Sequence, residues 1–153
     1  MQQLNLPPYK FRIKKVDEKL QIFDSQRKKY ISLTPEEWVR QNFIRYLIED
    51  KHYPAAYLAI EKQISMNGMK KRCDALLYNS DANPIMIIEF KAPGIQITQQ
   101  TFDQAAVYNS KLQVDFLMIS NGLNHYCCKV NTVESNYSFF LEIPTYEELQ
   151  LNL

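Results

Sequence analysis

Glycine is scarce in this 153-residue chain: three residues, against seven prolines, ten tyrosines and eight phenylalanines. Such a composition excludes a flexible Gly-rich linker and a low-complexity tract, and no internal repeat is visible. Cysteine is equally rare. Cys73, Cys127 and Cys128 are an odd number with no CxxC and no His-rich companion segment, so neither a disulfide framework nor a zinc site is expected. The two histidines, His52 and His125, are far apart and have no companions that would make either a ligand or a base. Charge of one sign is not in excess: 18 Lys and Arg against 17 Asp and Glu give a formal +1. That removes a bulk electrostatic grip on nucleic acid but leaves a local basic patch open. No apolar run approaches membrane-spanning length, and the opening "MQQLNLPPYKFRIKK" has no signal-peptide core. A Gly-rich phosphate loop, a Ser-His-Asp set and a Cys-His pairing are all missing. The expectation is one globular domain over 1–153, in a reducing cytoplasm and away from membranes.

Along the chain, residues 1–33 form a β-prone extension with "KFRIKKV", "LQIFD" and the basic, turn-like "SQRKKY". "LTPEEWVRQNFIRYLIED" opens a helix, with Thr34 as N-cap, Pro35 at the first position and acids in the first turn. Val39, Phe43, Tyr46 and Leu47 recur at helical spacing. "YLAIEKQISM" reads as a strand and "NGMKK" as a turn, followed by strands over about 72–78 and 85–91. A crossover helix over about 98–112 and the strand "VDFLMIS" imply a parallel βαβ pair. A hairpin and a short helix close the chain over 124–153. The class is α/β, a central mixed sheet flanked by helices.

The strand pair contains charges that its apolar runs do not explain. Alternation puts Asp74, Leu76 and Tyr78 on one face and Ile85, Ile87, Glu89 and Lys91 on one face of the next strand. Pairing Tyr78 with Ile85 sets Leu76 opposite Ile87 and Asp74 opposite Glu89, with Cβ atoms about 4.5–5.5 Å apart. Opposed carboxylates repel unless a raised pKa, a lysine partner or a hard divalent cation compensates. Lys91 is one such partner, and Mg²⁺ or Mn²⁺ is the cation that such a pair holds, with water and phosphate completing the shell. Acids, lysine and cation together suit phosphodiester hydrolysis. The alternative is exposed strand ends carrying a weak salt bridge.

"CDALLY" and "IIEFKAP" resemble the D…(D/E)xK core of the PD-(D/E)xK nuclease superfamily. Taken with "LTPEEWVRQ", "IEKQI", "KKRCDALLY", "QAAVY" and "FLMISNG", in that order, residues 20–125 resemble the N-terminal nuclease domain of type I restriction enzyme R subunits. The resemblance implies a restriction-endonuclease-like fold in which Asp74 and Glu89 bind metal and Lys91 is the catalytic lysine. It implies a helix acid at Glu36 or Glu37; Glu37 is preferred, although Thr34-x-x-Glu37 also fits a capping box. Gln104 and Tyr108 match a Q-x-x-x-Y element, and their i, i+4 spacing puts them on one helix face. Glu61 matches a further family acid of unassigned role. Cys73 stands where proline often precedes the first acid. The R subunit's helicase motor has no P-loop counterpart here, so the domain is expected either to act alone or to work with motor or specificity subunits on separate chains.

DNA contact needs cations beside the site, and Lys70, Lys71 and Arg72, leading into Asp74, are the best-placed set. Further candidates are Arg27, Lys28 and Lys29, and Lys10, Arg12, Lys14 and Lys15. The expected function is a Mg²⁺-dependent DNA endonuclease domain in restriction-modification or related DNA processing, with homodimerisation open. The alternative is a non-catalytic DNA- or protein-binding module that keeps the fold. An RNA or repair-intermediate nuclease is a third, weaker option.

Overall fold

A computed structural model describes residues 1–131 and 133–153. The chain begins with a three-stranded antiparallel sheet, β1 (Ile13–Val16), β2 (Lys19–Asp24) and β3 (Lys29–Ser32). Helix α1 (Pro35–Glu49) starts at Thr34, whose hydroxyl accepts the Glu37 N–H at 3.0 Å. A six-stranded sheet follows in the order β4 (Leu58–Met66), β5 (Met69–Tyr78), β6 (Pro84–Phe90), β7 (Phe116–Ser120), β8 (His125–Asn131) and β9 (Asn136–Phe139). Helix α2 (Gln99–Leu112) connects β6 to β7, which pair in parallel; the other neighbours are antiparallel. Helix α3 (Tyr146–Leu151) lies near the C-terminus.

The helices cover opposite faces of the large sheet. Val39, Phe43 and Leu47 of α1 pack with Ala75, Leu77, Met86, Ile88 and Phe90. Phe102 and Ala105 of α2 pack with Cys73, Leu76, Ile87, Leu117 and Ile119. Strands buried on both faces read as continuous apolar runs, which is why "IMII" and "FLMI" carry no polar alternation. The three cysteines are free and buried. No helix among the described residues is long and apolar enough to cross a membrane.

Three details depart from the sequence expectations. The segment "NGMKK" is not all turn. Asn67 and Gly68 alone make a two-residue hairpin turn with φ of 50° and 75°, and β5 resumes at Met69. Asn-Gly is the sequence best suited to that turn, and its backbone twist matches the strands it joins. Leu76 does face Ile87, but a register shift at Leu77 and Tyr78 sets Tyr78 opposite Pro84 rather than Ile85. The third concerns the pleat of β5. The β4–β5 ladder is interrupted where Glu61 meets Asp74, and Glu61 has a left-handed φ of 53°. On β5, Cys73 packs with the α2 cluster, whereas Ala75 packs with the α1 cluster. Strict alternation would put both on one face, so the irregularity re-aims Asp74.

Candidate active site

Asp74 lies where regular β5–β6 pairing ends, at Ala75 opposite Ile88. Its Oδ2 accepts the backbone N–H of Phe90 at 2.7 Å, which ties the carboxylate to β6 beside Glu89. Its Oδ1 accepts from Arg40 Nη2 at 3.1 Å. Glu89 Oε1 is buried and has no hydrogen-bond partner. Burial first, then the negative charge of Asp74, raises the Glu89 carboxyl far above the ordinary carboxylate range. Two acids on neighbouring strands therefore hold one negative charge more easily than two.

Lys91 follows the last residue of β6, and its N–H donates to the Ser120 carbonyl at 2.9 Å, continuing the pairing with β7. Glu89, Lys91, Lys71, Gln104 and Tyr108 line one cavity of about 310 Å³ between the sheet and α2. The i, i+4 spacing of Gln104 and Tyr108 thus brings both to Glu89 and Lys91. The Tyr108 hydroxyl also donates to the Arg72 carbonyl at 3.1 Å. Burial and then Glu89 raise the Tyr108 pKa.

The α1 acids divide differently from the sequence expectation. Glu37 is buried, and its carboxylate accepts from Arg27 Nη2 at 2.8 Å, Gln41 Nε2 at 2.8 Å and Arg40 Nη1 at 2.5 Å. It neither closes a capping box nor belongs to the cavity-lining set; the N-cap bond is made by its backbone N–H alone. Glu36, half exposed, is the α1 acid that senses the site. Burial and then the Asp74 charge raise its pKa, while Arg40 and Lys91 oppose the shift.

Sequence reasoning missed Arg40 and read Arg27 as a candidate DNA contact. Arg27 pairs with Asp24, with Glu37 at 2.8 Å and with Glu61 at 3.3 Å, so it is a structural cation rather than a free phosphate contact. Arg40 sits in the helical stripe four residues before Ile44 and seven before Leu47, an uncommon place for a charge and the one signal available. Glu61 meets Arg27, Arg40 and Arg72. Among the other cations, Arg12 stacks over Phe23, Lys14 over Tyr30, and Lys15 pairs with Glu18 at 3.1 Å. Lys70 and Lys71 are exposed on β5, as is Arg72, which lies 3.4 Å from Glu61. His125 is held between Ser120 Oγ at 2.7 Å and the Asn5 carbonyl at 2.8 Å, where it anchors the N-terminal segment.

A central mixed sheet covered by a helix on each face, with acids on adjacent strands and a lysine just beyond, defines a mixed α/β protein. Residues 35–144 match the family described as type I restriction enzyme R protein N terminus, and the chain belongs to that family. Its fold is similar to a solved fragment of a protein assigned as an HsdR subunit of a type I restriction enzyme from Vibrio vulnificus YJ016. The TM-score is 0.58 and the identity 20%, over 78% of this chain and 25% of that one. The chain thus spans about a quarter of the length of that relative. No curated protein sequence matches significantly.

Proposed function

We propose that the chain is a divalent-metal-dependent nuclease domain that hydrolyses phosphodiester bonds in DNA. The observation that carries this reading is the buried, unpartnered Glu89 Oε1 beside Asp74, in a cavity shared with Lys91. A buried carboxylate oxygen without a donor needs an explanation, and a cation bound there is one of the recognised ones. The donor set fits Mg²⁺ or Mn²⁺, which takes one or two carboxylates and completes its shell with water and phosphate. Among the described residues no group of three or more His, Cys, Asp or Glu could hold a metal by itself. Asp74 and Glu89 would hold the ion.

In the reaction a water oxygen bonds to phosphorus, one ester P–O bond breaks, and the departing oxygen takes up a proton. When bound, the cation would offset charge on the phosphoryl oxygens and acidify a water. Lys91 orients the attacking water or stabilises the phosphoryl oxygens. Lys71, at the same cavity, pairs with a phosphate, and Lys70 and Arg72 extend that contact along the strand. Gln104 and Tyr108 position the substrate, and Glu36 replaces Glu37 as the supporting helix acid. Family membership supports DNA as substrate, with motor and specificity subunits of a restriction-modification assembly as partners.

A second reading has its own observation. Arg40 already neutralises Asp74 at 3.1 Å, as in a structural ion-pair cluster of a DNA- or protein-binding module. Thermal melting with Mg²⁺ or Mn²⁺ separates the two, because a ligand of the native state raises its apparent stability. The catalytic reading predicts an upward shift in the wild type and none in Asp74→Asn. An unshifted wild type supports the module instead.

A further inference from the structure

Beyond the acids and lysine lies an ion-pair chain that has no role in the reaction as proposed so far. Arg40 is 7% exposed and makes its two shortest carboxylate contacts through different nitrogens, Glu37 through Nη1 at 2.5 Å and Asp74 through Nη2 at 3.1 Å, with Glu61 at 3.5 Å and Glu36 at 3.8 Å further out. Glu37 is held in turn by Arg27 and Gln41, and Arg27 by Asp24 at the end of β2. The small sheet, α1 and the first acid of the large sheet are thus joined by one continuous network. Asp74 itself is fixed at both oxygens, Oδ1 by Arg40 and Oδ2 by the Phe90 N–H.

From this geometry we infer that Arg40 is a positioning residue. It fixes the plane of the Asp74 carboxylate for cation binding, and Glu37 acts on the site only by holding Arg40. The inference rests on the metal-site reading above. A guanidinium suits this work because its planar fork reaches two carboxylates at set angles, whereas an ammonium is a point charge on a flexible stem. Groups that orient a metal ligand from behind typically change metal affinity by about 10–100-fold when removed. The adjacent break in the β4–β5 pleat, with Glu61 in the left-handed region, leaves Asp74 without a regular ladder to aim it. Arg40 and the Phe90 N–H hold it instead.

The test is Mn²⁺ binding by the full chain, measured by calorimetry for wild type, Arg40→Gln, Arg40→Lys, Glu37→Gln and the Arg40→Gln/Glu37→Gln double variant. Circular dichroism melts without metal are run in parallel. Arg40→Gln is expected to weaken Mn²⁺ binding by about tenfold or more, and Arg40→Lys not to rescue it. Glu37→Gln should weaken binding in the same direction, and the double variant should be no weaker than Arg40→Gln alone, since the two act through one path. A purely structural network would lower the melts and leave Mn²⁺ affinity of the folded fraction unchanged. That result, or additive effects on affinity, overturns the inference. If Arg40→Gln does not fold, unchanged Mn²⁺ affinity in Glu37→Gln overturns it equally. A wild type that binds no Mn²⁺ overturns the metal site itself and this inference with it, whereas normal wild-type binding with unaltered variants overturns only the role of Arg40.

Discussion

The Asp74 carboxylate accepts a 2.7 Å hydrogen bond from the backbone N–H of Phe90, so the acid of β5 is tied to the strand that carries Glu89. The bond uses a donor near the end of the regular ladder and holds two mutually repelling groups side by side. Keeping them there is unfavourable when both are ionised, and the pH response of the fold should reveal it.

Burial and the Asp74 charge raise Glu89 from its ordinary 4.5 to about 9. The unfolded chain ionises near the lower value, so between the two the folded protein keeps a proton that the unfolded chain has lost. Metal-free stability should therefore fall as pH rises through this window. Glu89→Gln removes the titration and should melt higher than wild type at the alkaline end. Thermal melts across that range check it, and parallel profiles for the two proteins would contradict it.

Arg27 should matter for stability out of proportion to its place in a basic turn. Arg27→Met leaves buried Asp24 without its cation and removes one of the two that Glu37 and Glu61 share, Arg40 being the other. Breaking a buried pair on one side should cost about 3 kcal/mol. Lys15→Ala, which removes an exposed pair with Glu18, should stay within about 0.5 kcal/mol. Urea unfolding of the two variants measures the contrast, and equal midpoints would refute the structural role of Arg27.

Gly122 has φ of 85°, and a Cβ there would lie 2.7 Å from Leu4 Cδ2 and 3.1 Å from Val39 Cγ2. The Gly122 carbonyl accepts the Asn5 N–H at 2.8 Å, so the N-terminal segment docks directly on this turn. Gly122→Ala should cost about 1–3 kcal/mol through the left-handed backbone and the crowding of Leu4. Limited proteolysis should cut the first residues faster in the variant. Gly94→Ala, where a Cβ meets nothing within 4 Å, is the control.

Much of this architecture was legible in the sequence because its signals are local. Thr34, Pro35 and the apolar stripe of α1 announce a helix, and runs such as "FLMIS" announce strands buried on both faces. The regular ladder ends at Ala75 opposite Ile88, short of Asp74, but counting along the strands did set Leu76 opposite Ile87. That pair holds even though the shift at Tyr78 breaks the assumed register nearer the loop. The rest depended on distance in the chain. Two acids in one helical turn look alike in a sequence, and only packing shows that Glu37 is enclosed by Arg27, Arg40 and Gln41 while Glu36 stays half exposed, 3.8 Å from Arg40. Arg27 and Arg40 share Glu37 and Glu61 from separate elements, a pairing that no periodicity encodes. The left-handed Glu61 was illegible for another reason: glutamate carries no preference for that conformation, so only the strained backbone reveals it.

The most direct test of the central claim is cleavage of supercoiled DNA with Mg²⁺, Mn²⁺ or EDTA, by wild type beside Asp74→Ala and Lys91→Ala purified in parallel. The account predicts cutting that requires the divalent ion and is lost in both variants while their folds persist. Cutting that survives in Asp74→Ala, or that is indifferent to EDTA, would contradict it.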